Sequence, residues 1–404
     1  MILDDPYFDA QWLRTAGHSG AGGAELGECL SVAGAIRGSD IEGWYAAWLA
    51  MGERVLARAD ESRAAGRDVS ARGAYLRASN YLRTAYAFLM GPGADPRIAS
   101  TYRQHRQAFG NAAALMQPAA ERITIPYDGG ALNGYLFCAS SDGARRPTLI
   151  INGGYDSTAE ELYLFSGAAA VARGYTCIVF DRPGQGDAII ERGIVFRPDW
   201  EAVVTPVVDA AARRPEVDPK RIALMGLSFG GYLAPRAASA ERRLAACIAD
   251  PGEYSLREEL ESRLPAFVAR QLDDGGSRPI VWLLDRVLQR RLRQPTAGWV
   301  LRRGLWVHGV ETPLELVRLM GDYTLEGRAE RIACPTLVCS AERDEIGVTA
   351  RRLFDALSCQ KEFATFTAAE GAGAHCESGA RAVFNQRALD WLDGVLGVAS
   401  PAVG

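Results

Sequence analysis

Lysine is nearly missing from this chain of 404 residues: Lys220 and Lys361 are the only two, and arginine carries the rest of the positive charge. Lys+Arg total 45 against 49 Asp+Glu, a formal net charge of −4. Without a basic excess the chain lacks the electrostatic footprint of a nucleic-acid binder. No apolar run approaches the roughly 18 residues a membrane helix needs, so no membrane partner is expected. The start, Met1-Ile-Leu-Asp-Asp-Pro6, is acidic and lacks the basic and apolar segments of a signal peptide. Eight cysteines are present but no CxxC pair, which speaks against a zinc knuckle or a thioredoxin-like motif. Several lie in apolar runs such as Thr176–Phe180, as small buried hydrophobes do. Reduced thiols and a cytoplasmic location are the expectation. Histidine is scarce too. Only His18, His105, His308 and His375 are available to any chemistry that needs an imidazole.

What is present is ordinary globular composition, 48% hydrophobic and 23% charged. The length calls for one large domain with an accessory region, and a core of that size needs no staples. Residues 1–120 read as helical. Ser39-Asp-Ile-Glu42 has the spacing of a capping box, and Trp44, Ala47, Trp48, Met51 and Val55 follow at helical spacing. A second stripe, Tyr75, Ala78, Leu82, Ala85 and Leu89, ends at Gly91-Pro92-Gly93, and a third helical stretch covers 97–116.

From residue 121 the pattern changes. Two strands, 122–126 and 132–137, flank a turn at Asp128-Gly129-Gly130. Strands at 148–151, 176–180, 222–225, 245–249, 336–340 and 362–366 then alternate with helices, one opening on a second candidate capping box, Thr158-Ala-Glu-Glu161, and one over 200–213 that Pro206 could kink. That alternation predicts an α/β fold, a mainly parallel twisted sheet with helices on both faces. The stretch 253–327 interrupts it, with helical material at 256–271 and 280–293 and no clear strand. It is expected to be a helical cap inserted between two halves of the core, 121–252 and 328–404, above the edge where open α/β sheets bind ligands.

The chemistry centres on Gly226-Leu-Ser228-Phe-Gly230, a G-x-S-x-G pattern between an apolar strand and a helix. There it reads as a nucleophile elbow presenting Ser228. A serine hydroxyl needs a base to take its proton. Only His375, in the Gly-rich loop Glu370–His375, follows the last strand, so it is assigned that role. The acid that orients the base should follow the strand 335–341, where Glu342, Asp344 and Glu345 compete; Asp344 is favoured and Glu342 is next. An oxyanion needs two N–H donors. Phe229, just after the nucleophile, supplies one; the other is expected from Asn152-Gly-Gly-Tyr-Asp156, with Tyr155 first and Gly154 second. Glu253, Glu258, Glu259 and Glu261 open the insertion, and Glu258 and Glu259 are candidates for an extra acid, against the plainer reading of solvated helix charges. His308 reads as structural or at most a substrate contact; His18 and His105 receive no role, and the charges of Phe180–Asp187 read as structural. No metal site and no cofactor is implied, and the partner is a small-molecule substrate.

Asn152-Gly-Gly-Tyr-Asp-Ser157, Phe180-Asp-Arg-Pro-Gly-Gln-Gly186, Gly226–Gly231 and Asp344…His375 resemble a group within the α/β-hydrolase superfamily: the 2,6-dihydropseudooxynicotine hydrolases, the fungal heptaketide hydrolyases and the FrsA-like esterases. The Trp44…Trp48 helix and Ala71-Arg-Gly-Ala-Tyr-Leu-Arg-Ala-Ser79 are similar to that group's helical region, so the likeness spans nearly the whole chain. The resemblance implies a Ser–Asp–His triad, a lid built from residues 1–120 and the insertion, a homodimer, and cleavage of a C–C bond in a 1,3-diketone or polyketide-like substrate, or of an ester. Acyl transfer or cyclisation in natural-product assembly is the first alternative, and a hydrolase-like protein that only binds is the second.

Overall fold

The computed structural model describes residues 2–93, 95–262 and 278–398. At its centre is one eight-stranded sheet in the order β1-β2-β4-β3-β5-β6-β7-β8. The strands are β1 Glu121–Tyr127, β2 Gly130–Phe137, β3 Arg146–Asn152, β4 Thr176–Phe180, β5 Val217–Leu227, β6 Leu244–Asp250, β7 Thr336–Ala341 and β8 Lys361–Phe366. β2 runs antiparallel to both its neighbours, and every other pairing is parallel. All eight strands fall where the apolar runs predict them.

Strand alternation divides the core into two layers. Leu149, Ile151, Cys177, Val179, Ala223 and Met225 join one cluster with the N-terminal helices and the last helix, Arg381–Leu396. Ile150, Ile178, Phe180, Ile222 and Leu224 face the other way, towards helices Glu201–Ala212 and Gly230–Ala238 and residues of the insertion. Glu201–Ala212 is one continuous helix with Pro206 inside it.

In the N-terminal region, helices Ile41–Ala64 and Asp68–Ala85 bury the Trp44, Trp48, Met51, Val55 stripe against Tyr75, Ala78, Leu82 and Ala85. Trp44 lies 4.6 Å from Phe8 and 5.8 Å from Trp48, ring centre to ring centre. Neither expected capping box closes. Asp40, not Ser39, stands at the N-cap position of the first of these helices and makes no side-chain capping bond, while the Ser39 hydroxyl donates to Asp5 Oδ2 (2.5 Å). Thr158 Oγ1 does accept the Glu161 N–H (3.3 Å), but the Glu161 carboxylate turns away to Arg14.

Between β6 and β7 the chain forms helices Leu256–Glu261, Arg278–Leu292, Trp299–His308 and Pro313–Leu319. The helix expected over 256–271 is described only as far as Glu261; the rest of it lies outside the described residues. The last two helices were not predicted. Their signals were in the sequence: Gly309 ends one in the left-handed region, and Thr312 with Glu315 forms a complete capping box around Pro313. No helix among the described residues is long and apolar enough to cross a membrane.

Candidate active site

The strand order reverses between β3 and β5, and their C-terminal ends carry the loops that matter, as in other open α/β sheets. Ser228 follows β5 directly. Its φ is +58°, a region costly for a side chain with a Cβ, and it is held there by its N–H bonding to Asp250 O at 2.6 Å. The tight turn requires glycine at 226: a Cβ there would stand 1.9 Å from Gly230 O.

His375 follows β8 and reaches back to the elbow. Ser228 Oγ and His375 Nε2 are 2.8 Å apart, and His375 Nδ1 lies 2.7 Å from Asp344 Oδ2. A carboxylate only accepts, so Nδ1 carries the proton in the neutral ring and Nε2 accepts from the serine. The Asp344 side chain is 2% exposed and the His375 side chain 35%. Burial alone would lower the imidazole pKa, but the Asp344 charge and hydrogen bond outweigh it, and the net displacement is upward. The other oxygen of Asp344 accepts from Ile346 N (2.9 Å), which fixes the carboxylate. Glu342 is exposed and bonds Ala368 N (2.6 Å), and Glu345 is exposed. Of the three competing acids only Asp344 meets the ring.

Behind the histidine, Cys376 and Glu377 both have positive φ (+48° and +45°). Arg381 braces them. Its Nη1 bonds Cys376 O (2.7 Å) and stands 3.3 Å from Glu377 Oε2 and 3.5 Å from Asp250 Oδ2. Two buried carboxyl groups thus share one guanidinium, and burial together with their mutual repulsion pushes the Glu377 pKa well up.

The loop after β3 closes the other side. Gly154 faces Ser228 so tightly that a Cβ on it would stand 2.7 Å from Ser228 Oγ and 3.2 Å from Phe229 N. The backbone N–H groups of Phe229, Gly154 and Tyr155 have no acceptor among the described residues. The Tyr155 ring stacks on Phe229 at 4.8 Å, and its hydroxyl pairs with His308 Nε2 at 2.8 Å. His308 Nδ1 meets Tyr323 OH at 3.1 Å. Burial pushes the His308 pKa down to about 3, so the ring is neutral and links the two hydroxyls.

Asp156, next in the loop, is the hub of a charge cluster that sequence reading missed because its members are far apart in the chain. Arg14 Nη1 lies 3.0 Å from it, Arg83 Nη2 3.2 Å and Arg303 Nη1 2.8 Å. Arg14 also pairs with Glu161 at 2.6 Å, which His18 Nε2 approaches at 3.4 Å. Burial works against ionised Asp156, but the three guanidiniums hold its carboxyl far below the usual range. His105 is buried between Ser79 (2.8 Å) and Thr158 (2.9 Å). Asp181 accepts from Tyr102 OH (2.6 Å) and from the N–H groups of Ala159 and Asp187, bracing the loop from within.

The candidate extra acids are engaged elsewhere. Glu259 accepts from Val348 N, Thr349 N and Thr349 Oγ1 (3.2, 2.9 and 2.7 Å), and Glu258 pairs with Arg352. All eight cysteines are free. Among the described residues no three His, Cys, Asp or Glu side chains are grouped to hold a metal ion.

A family model described as the alpha/beta hydrolase family matches residues 148–386, and one described as FrsA-like esterase matches 31–253. Hydrolase acrC of Aspergillus aculeatus is 36% identical over 418 aligned positions, covering 96% of each chain. The 20-hydroxy-prefusarin hydrolase FUS2 of Gibberella moniliformis is 34% identical over 415, covering 98% of each. Among solved structures, that of 2,6-dihydroxy-pseudo-oxynicotine hydrolase overlays with a TM-score of 0.75 at 23% identity, over 96% of this chain and 98% of the other, which shows a shared fold. The chain belongs to the alpha/beta hydrolase family and is a hydrolase.

Proposed function

We propose that this hydrolase cleaves an acyl bond of a polyketide-like small molecule through an acyl-enzyme on Ser228. The observation that carries the reading is the unbroken line from Ser228 Oγ to His375 Nε2 (2.8 Å) and from Nδ1 to Asp344 (2.7 Å). Ser228 attacks the carbonyl carbon while His375 takes its proton, and Asp344 stabilises the imidazolium without receiving that proton. The oxyanion is met by the N–H of Phe229 and by that of Tyr155 or Gly154, a role supported by their having no acceptor among the described residues. The imidazolium then protonates the leaving group. Water, deprotonated by His375, releases the acid and restores the serine.

The bond is either an ester or the C–C bond of a 1,3-dicarbonyl. The second carbonyl of a 1,3-dicarbonyl takes up the leaving electron pair as an enolate, so no metal or organic cofactor has to. The name of the prefusarin hydrolase relative agrees with a hydrolytic role on a natural product. Glu258 and Glu259, committed to Arg352 and the 348–349 loop, do not enter this scheme. The N-terminal helices and the insertion serve as the lid, and the working form is a cytoplasmic homodimer, which light scattering of the purified chain checks. Turnover of simple esters and 1,3-diketones in ¹⁸O-labelled water tests the reaction itself. One label in each acid product supports hydrolysis, and unlabelled acyl product on an added alcohol would indicate acyl transfer instead.

A further inference from the structure

We propose that Arg14 and Arg303 form an anion-binding subsite beside Ser228, which takes an ionised oxygen group of the substrate: a carboxylate or the enolate of a 1,3-dicarbonyl. The inference rests on Ser228 being the nucleophile and adds the charge of what is bound.

Position comes first. Helix Pro6–Gly17 is seated on the loop that carries His375, since a Cβ on Gly17 would lie 2.8 Å from Gly379 N, and one on Gly379 would lie 2.6 Å from Leu13 Cδ1. Arg14 stands between those contacts and lays its guanidinium on Asp156, at the end of the loop facing the nucleophile. It therefore spans the two loops that flank Ser228, and its charge acts on the His375 ring. Arg303 comes from the inserted helix Trp299–His308. Its guanidinium lies 4.1 Å above the Trp299 ring and 5.4 Å above the ring of Tyr155, which also stacks on Phe229.

Charge comes second. Arg14, Arg83 and Arg303 meet two carboxylates, Asp156 and Glu161, while His18 is buried with its pKa lowered and stays neutral. Within this set of paired groups three positive charges meet two negative ones. A guanidinium cannot relieve the imbalance by losing its proton. Partly desolvated positive charge is costly until an anion meets it. Arg303 is the under-used member. Its pairing with Asp156 is its one contact with an anion among the described residues, and its buried Nε has no acceptor there. Access comes third. The Arg83 side chain is 1% exposed, whereas Arg14 and Arg303 keep 13% and 12%, so those two retain an edge a ligand can reach. The planar fork suits a carboxylate or an enolate with two oxygens.

The test uses the full chain and matched substrates. One pair is the p-nitrophenyl half-ester of glutaric acid and its neutral methyl ester; the other is an enolisable 1,3-diketone and its 2,2-dimethyl counterpart, which cannot ionise. The expected result is at least a tenfold preference in kcat/KM for the ionised member of one pair or both, expressed in KM and weakened by salt; the pair that shows it identifies the group. Arg303→Met should bring the preference towards one, and Arg303→Lys should restore part of it. Competitive inhibition by glutarate, and none by its diamide, reports the same subsite without any variant. Equal kcat/KM within both pairs, or a full preference in Arg303→Met, overturns the subsite. If no substrate is turned over, the Ser228 reading fails, while glutarate-dependent thermal stabilisation, lost in Arg303→Met, still supports the anion site; its absence in the wild type overturns it.

Discussion

Gly154 and Ser228 approach so closely that a methyl group on Gly154 would lie 2.5 Å from Ser228 Cβ. In the proposed reaction that space receives the carbonyl under attack. Gly154→Ala should therefore lower kcat by about 10²–10³-fold, the range for losing one oxyanion donor, while KM changes less. Steady-state kinetics on a p-nitrophenyl ester checks this; unchanged kcat would place the reacting carbonyl elsewhere.

The Asp344 carboxylate raises the His375 pKa above the ordinary imidazole value of about 6.5. Only the unprotonated ring can act as base. Log kcat/KM should thus rise with pH through an inflection above that value and fall as acid protonates the ring. Asp344→Asn removes the charge that raises the pKa. Its inflection should move to lower pH, with kcat down by about 10⁴, as when the orienting acid of such a triad is amidated. A pH–rate profile of both proteins decides.

Asp156 pairs with three guanidiniums in a site where its own side chain is 7% exposed. Asp156→Asn leaves Glu161 to meet Arg14 and Arg83 and removes the carboxylate partner of Arg303, and should cost about 3–5 kcal/mol of stability, as breaking a buried ion pair does. Urea denaturation followed by circular dichroism measures it.

His308, with its pKa near 3, carries no charge at working pH. Its replacement by leucine strands the hydroxyls of Tyr155 and Tyr323 and should destabilise the protein by about 1–3 kcal/mol. His308→Gln, which still bonds both, should cost less and leave the pH–rate inflection in place.

The strands were readable because each is a short apolar run bounded by turn residues, and the elbow because Gly226, Ser228 and Gly230 sit where strand becomes helix. Chain order singled out His375 and narrowed the acid to Glu342, Asp344 and Glu345, of which Asp344 was favoured. The cluster around Asp156 was not readable: Arg14, Arg83, Asp156 and Arg303 meet only through packing of the N-terminal helices and the insertion on the sheet, which local sequence does not encode. The capping boxes failed for a related reason. Ser39 and Glu161 have partners distant in the chain, Asp5 and Arg14, which outcompete the local bond.

Covalent labelling by a fluorophosphonate probe, read by intact mass and peptide mapping, shows directly whether Ser228 is an activated nucleophile. One adduct per chain is expected, on Ser228, formed far more slowly in His375→Ala and absent in Ser228→Ala. An adduct on another residue, or labelling of the wild type no faster than of the histidine variant, would contradict it.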